Sequence, residues 1–98
     1  MEDANLEMAF KACTFAAVGT CGQRCTTLRR LIIHSKHYDS FVDKLCKAYS
    51  TVKIGDPLDS STLCGPLHSK LSLEIYDNCI KKVKETPNHK ILCGGERV

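Results

Sequence analysis

Gly22-Gln23-Arg24-Cys25-Thr26-Thr27-Leu28-Arg29-Arg30-Leu31-Ile32-Ile33-His34 runs from a flexible glycine, past one cysteine set between an arginine and two hydroxyls, into a short apolar run. Leu31-Ile32-Ile33 has the unbroken pattern of a strand covered on both faces in a parallel sheet, so residues 28–34 are predicted to form a strand. Upstream, Gly19 and Gly22 break a helical pattern. Cys25 is therefore expected on a turn between an ending helix and a starting strand, where side chains reach into clefts.

Working outward, Asp3 can cap a helix whose apolar positions Leu6, Phe10, Cys13 and Ala17 recur at helical spacing, with Glu7 near the positive end of its dipole. The small residues Ala9, Ala12 and Ala16 allow it to pack closely. After the predicted strand, Tyr38, Phe41, Val42, Leu45, Tyr49 and Val52 follow the i, i+3, i+4, i+7 rule, which predicts an amphipathic helix over about 37–52, stopped by Gly55 and Pro57. Residues 55–68 hold Gly55, Pro57, Gly65 and Pro66 among several Asp, Ser and Thr, the composition of an ordered loop. Ser69 can cap a third helix with Leu73, Tyr76, Ile80 and Val83 on one face and Pro87 beyond its end. Residues 90–93 read as a second short buried strand, closed by Gly94-Gly95. There is no internal repeat.

The order helix, strand, helix, helix, strand implies an α/β fold with a right-handed crossover between two parallel strands. Two such strands cannot cover both faces and both edges of a sheet by themselves. The chain is therefore expected to be a piece of a larger domain.

Composition narrows the partners. At 43% hydrophobic and 26% charged the chain is globular rather than disordered. No apolar run approaches the roughly 20 residues of a membrane helix, and Glu2 and Asp3 stand where a signal peptide would be basic, so a soluble segment without membrane contact is expected. The net charge of +3 is small and its cations are interleaved with acids, which gives no reason to expect nucleic acid as a partner. Lys81, Lys82 and Lys84 read as the wet face of a helix. The seven cysteines Cys13, Cys21, Cys25, Cys46, Cys64, Cys79 and Cys93 include no Cys-x-x-Cys pair. That pattern fits reduced thiols in the cytosol or mitochondrion and no structural metal; His34 and His37 are expected in a solvated loop.

Cys25 stands out among the seven because thiolate is favoured by nearby positive charge and partial exposure, and Arg24, Arg29 and Arg30 surround it in sequence. The usual fate of a free cysteine is burial as a small hydrophobe. The residues alone leave both readings open, since no His or Asp partner is visible.

The segment Phe15-Ala16-Ala17-Val18-Gly19-Thr20-Cys21-Gly22-Gln23-Arg24-Cys25-Thr26-Thr27 resembles the catalytic-cysteine segment of the aldehyde dehydrogenase superfamily. Arg24, the paired threonines and Arg29-Arg30-Leu31 are most similar to its antiquitin branch. Ile54-Gly55-Asp56-Pro57-Leu58-Asp59 through Gly65-Pro66-Leu67-His68 is similar to the family's Gly-Asp-Pro and Gly-Pro segments. The resemblance runs from Glu2-Asp3-Ala4-Asn5-Leu6 to Cys93-Gly94-Gly95-Glu96.

This resemblance implies that residues 1–98 are part of a three-layer catalytic domain, with the cofactor-binding and oligomerisation regions elsewhere. It implies a full-length enzyme, tetrameric as in the family, that oxidises a small aldehyde to an acid with NAD or NADP. Cys25 would add to the aldehyde carbon to give a thiohemiacetal and then a thioester, with its backbone N–H an oxyanion donor. Arg24 would anchor the distal carboxylate of a substrate such as aminoadipic semialdehyde, a task suited to a bidentate guanidinium; the alternative is an ion pair that orders the turn. Thr26 and Thr27 could hold the cysteine rotamer. The family's glutamate base and oxyanion asparagine lie outside the chain, and Glu2, Glu7 and Glu74 match neither. No Gly-x-Gly-x-x-Gly occurs, and Ser72 stands near the place where some relatives carry a ribose-binding glutamine, so no cofactor contact is assigned. The isolated segment is expected to be inactive. Two other readings are a noncatalytic truncated paralogue that binds intact subunits, and a thiol redox protein using Cys21 and Cys25, whose spacing is unlike that of the common oxidoreductases. Cys21 is otherwise expected to pack at the helix end, with a Cys21–Cys25 disulfide as an oxidation hazard.

Overall fold

The helices begin where short polar side chains can satisfy free backbone N–H groups. Asn5 Oδ1 accepts from the Met8 N–H at 3.0 Å and opens α1 (Leu6–Val18). The cap is thus Asn5 and not the expected Asp3, which lies in a preceding turn closed by the Ala4 N–H on the Met1 carbonyl. His34 Nδ1 accepts from the Lys36 N–H at 3.2 Å and opens α2 (Ser35–Ser50), so α2 starts and ends two residues earlier than the periodicity predicts. His34 and His37 accordingly belong to this helix and its cap rather than to a loop; a His37 ring nitrogen lies 2.9 Å from the Glu2 carbonyl. Ser69 caps α3 (Lys70–Glu85) as expected, through the Ser72 N–H at 3.2 Å. Between α1 and α2 a 3₁₀ turn, Gly19–Gly22, ends the first helix. These elements come from a computed structural model that describes residues 1–98.

Neither expected strand forms. Residues 28–34 and 90–93 are irregular, and the only β contact is an isolated parallel bridge between Ile54 and Cys64. The regular structure of the chain is therefore all helical, and with no sheet there is no crossover. The physical reason is that an apolar run encodes a preference for burial, whereas a strand exists only when a neighbour supplies its ladder of hydrogen bonds. Ile32, at the centre of the run, is 98% exposed.

What core there is lies between α1 and α2. Phe41, 6% exposed, packs edge-on against Phe10 with ring centroids 6.3 Å apart, and Leu45 is 9% exposed one turn further on. Lys44 Nζ sits 4.3 Å from the Phe10 ring centroid and bonds the Glu7 carboxylate at 2.6 Å, closing the rim of this contact. No other side chain falls in the buried class. α3 packs against neither helix; the C-terminal residues fold back along it, where Arg97 pairs with Asp77. The accessible surface is 7953 Å², against about 5,600 Å² for a self-contained monomer of this mass. No helix is long and apolar enough to cross a membrane.

The loop expected over residues 55–68 is ordered, and Lys53 anchors its first part. Lys53 O accepts the N–H groups of Leu63 and Cys64 at 2.9 and 3.1 Å, and the Gly55 N–H returns to Cys64 O at 3.1 Å. Asp56 and Asp59 each bond the backbone N–H two residues on, at 2.9 and 2.8 Å, as turn-forming carboxylates do.

Candidate active site

The cysteine turn is built from the end of α1 outward. After Gly19, residues Thr20, Cys21 and Gly22 all have positive φ, at 51°, 55° and 72°. This left-handed run throws the chain off the helix axis, and its last member is the residue that takes the conformation without steric cost. Next, the Thr27 N–H bonds Arg24 O at 3.1 Å while Thr27 Oγ1 accepts the Arg24 N–H at 3.1 Å. Cys25 and Thr26 are therefore the two central residues of a turn closed twice. The Leu28 N–H then bonds Ala16 O at 3.0 Å and pins the exit of the turn to α1. Cys25 is exposed at the apex, and its own N–H is not used in closing the turn. The helix-exit turn expected from the glycines is present; the strand expected after it is not.

Arg24 turns back over the helix end. Its Nη2 donates to Phe15 O at 3.2 Å, and the guanidinium carbon lies 4.8 Å from the Phe15 ring centroid. A cation against the carbonyl end of a helix and an aromatic face is favourably placed on both counts. A Cβ at position 19 would overlap the Arg24 guanidinium where it now lies and displace it. Arg24 Nε is shielded from solvent and has no hydrogen-bond partner. Arg29 Nη2 lies 3.5 Å from Arg24 O, the one further arginine shown to reach the turn. Thr27 Oγ1 bonds the Arg24 N–H and not the cysteine that the threonine pair was expected to hold.

Sequence reasoning missed Gln23, which fastens this turn to the Gly65-Pro66 loop. Its Nε2 reaches Thr20 O and Pro66 O at 3.3 and 3.4 Å. Its Oε1 accepts the His68 N–H at 2.9 Å and lies 3.0 Å from His68 Nδ1. Since Oε1 can only accept, Nδ1 carries the proton in that pairing. Ser72 Oγ stands 3.2 Å from the same nitrogen and 3.0 Å from Ser69 Oγ, which makes it part of the helix cap. The two quoted motifs are thus in contact, a proximity that only their shared resemblance could have suggested. Cys21 adds to the link, donating to Gly65 O at 2.9 Å from 44 positions away. Beside it, burial first and a hydrogen bond with Cys21 second push the Cys64 thiol up to about 11.

All seven cysteines are free, and no group of three or more His, Cys, Asp or Glu converges. The chain offers no glycine-rich turn from strand into helix, the element that cradles a dinucleotide pyrophosphate, so its residues do not by themselves fit the family's cofactor.

A model described as "Aldehyde dehydrogenase family" matches residues 1–98, the whole chain. The chain belongs to the aldehyde dehydrogenase family. Among curated relatives it is 50% identical over 95 residues to aldehyde dehydrogenase family 7 member A1 of Malus domestica, covering 97% of this chain and 18% of that protein. It is 44% identical over 84 residues to alpha-aminoadipic semialdehyde dehydrogenase of Rattus norvegicus, covering 86% of this chain and 16% of that protein. The antiquitin-like character expected from Arg24 and the paired threonines is thereby borne out. Among solved structures, an aldehyde dehydrogenase of Bacillus cereus in complex with NAD+ superposes with a TM-score of 0.94 at 36% identity, covering all of this chain and 20% of that one. The chain thus spans about a fifth of the length of the aldehyde dehydrogenases it matches.

Proposed function

We propose that these residues supply the nucleophile of an NAD(P)-dependent aldehyde dehydrogenase whose remaining parts lie outside the 98 residues. The observation that carries this reading is the placement of Cys25: an exposed thiol at the apex of a doubly closed turn, with its N–H uncommitted. Such a turn can hold the sulfur and the N–H on the same side of a bound carbonyl carbon, sulfur to attack it and N–H to receive the oxyanion. The nicotinamide ring of the cofactor, held by other parts of the enzyme, would supply a hydride acceptor. Water would then release the acid from the Cys25 thioester. Arg24 is the candidate anchor for a distal carboxylate, which makes aminoadipic semialdehyde the substrate of choice. The base, the second oxyanion donor, the cofactor fold and a homo-oligomer interface are assigned to the absent regions, and cytosol or mitochondrion to the compartment.

Two experiments test this. In the complete polypeptide, Cys25→Ala is expected to lower kcat for aldehyde oxidation at least about 10³-fold, the scale on which losing a nucleophile acts. Undiminished oxidation by that variant rejects Cys25. The isolated 98 residues, mixed with aldehyde and NAD, are expected to form no NADH; steady Cys25-dependent formation would contradict the assignment of base and cofactor site to absent regions.

A second reading draws on the surface. Phe15, Ile32, Leu71 and Ile75 are all more than half exposed, which suits a noncatalytic piece that docks on intact subunits. Co-elution of the purified chain with a full-length relative on size-exclusion chromatography would favour this reading, and separate elution would reject it.

A further inference from the structure

Cys21 holds a left-handed conformation, φ 55° and ψ 34°, that is unfavourable for a non-glycine residue. The conformation carries its thiol away from the short local segment and onto the loop at residue 64, where it bonds Gly65 O. There Cys21 and Cys64 line one groove together with Leu67, Leu73 and Tyr76. The backbone of Cys64 is fixed on both sides by its bonds to Lys53 O and from the Gly55 N–H. Two half-buried thiols, 43 positions apart in sequence, are thus brought to one groove, Cys21 by its bond to the carbonyl next to Cys64 and Cys64 by its fixed backbone.

We propose that Cys21 and Cys64 form a reversible disulfide, a modification site for low-molecular-weight disulfides such as oxidised glutathione, which staples the Cys25 turn to the Gly65 loop and leaves Cys25 a free thiol. Cys21 loses its proton to solvent, and its sulfur attacks one sulfur of oxidised glutathione, releasing one glutathione thiolate. Cys64 then loses its proton and attacks the Cys21 sulfur; the Cys21–glutathione bond breaks and a second glutathione thiolate leaves. The two protein thiols are oxidised by two electrons, and glutathione disulfide is reduced to two thiols. Because burial keeps Cys64 protonated, the second step quickens as pH rises toward about 11. The staple holds whether or not Cys25 is a nucleophile.

Loop closure makes the test sharp. In an unstructured chain Cys21 meets Cys25, four residues away, roughly 35-fold more readily than Cys64. The folded geometry reverses that order. The 98-residue chain is treated with oxidised glutathione in native buffer, blocked with iodoacetamide and digested with trypsin, which cuts after Arg24 and so separates Cys21 from Cys25. The expected product links residues 12–24 to 54–70 through Cys21 and Cys64, at least about tenfold over any Cys21–Cys25 link, with Cys25 alkylated. Dithiothreitol should reverse it, Cys64→Ser should abolish it, and concentrated urea should restore the Cys21–Cys25 preference. A Cys13→Ser variant simplifies the 12–24 peptide, and fragment ions make the same assignment in the native sequence. A predominant Cys21–Cys25 link in native buffer, or glutathione left on Cys21 without transfer to Cys64, overturns the proposal.

Discussion

Arg24 shows how one side chain and one missing side chain make a turn. Its guanidinium can lie on the Phe15 carbonyl and ring only because position 19 has no Cβ. Gly19 has φ −53°, an ordinary value for any residue, so Gly19→Ala tests space alone and not backbone strain. In the complete enzyme Gly19→Ala and Arg24→Ala are both expected to raise KM for a carboxylate-bearing aldehyde about tenfold, the scale of one charge-assisted contact. They should leave KM for an uncharged aldehyde nearly unchanged. Equal effects on both aldehydes would reduce Arg24 to an ordering role. Cys64 gives a pH prediction. Burial, and then the hydrogen bond with Cys21, lift its thiol from an ordinary 9.0 to about 11. In the unfolded chain the thiol ionises first, so the stability lent by the neutral buried thiol is intact below pH 9 and is lost as pH rises toward 11. An ultraviolet thiolate titration should show a last ionisation near 11 that Cys64→Ser removes; Cys64 ionising near 9 would contradict its burial. At this scale the helix-exit turn was legible, because Gly19 and Gly22 that break the helix lie within a few positions of Cys25. Gln23 was not legible, because its meaning lies in His68, 45 positions away.

At the scale of elements, periodicity located all three helices, since helical hydrogen bonds and the stripe of Phe41 and Leu45 are local to each segment. Caps were harder to read: Asp3 and Asn5 both have capping side chains, and only Asn5 finds its N–H. The strands were read from apolar runs whose partners the chain does not supply. The α1–α2 contact should behave as a true core. Phe41→Ala in the complete polypeptide is expected to cost about 3 kcal/mol by thermal or denaturant unfolding, the low end for a buried aromatic. At its rim, the Lys44 hydrogen bond and then its charge hold the Glu7 carboxyl below its usual 4.5, so this link is present above pH 4.5 and is lost as pH falls through the lowered value. Lys44→Ala should return the Glu7 titration toward 4.5 in an NMR experiment; an unmoved midpoint would assign the shift elsewhere.

At the scale of the whole molecule, the excess surface, two buried side chains and a Cα radius of gyration of 14.6 Å are what the proposal of a larger parent domain expects; a self-contained chain of this length would have about 12.6 Å. The path nevertheless superposes on an intact aldehyde dehydrogenase. Few side chains find partners within the 98 residues, which is why the family was easier to read from the motifs than the structure of the piece. The isolated chain is expected to melt broadly and to bind a hydrophobic dye; a sharp two-state transition would contradict a core of only Phe41 and Leu45.

The most direct measurement is chemical. The complete polypeptide, turning over aldehyde and cofactor, is quenched in acid and its tryptic peptides are weighed. The expected acyl adduct sits on residues 25–29, the peptide that carries Cys25 and no other thiol. An acyl group on a different cysteine, or turnover at full rate with none on Cys25, would contradict the central claim.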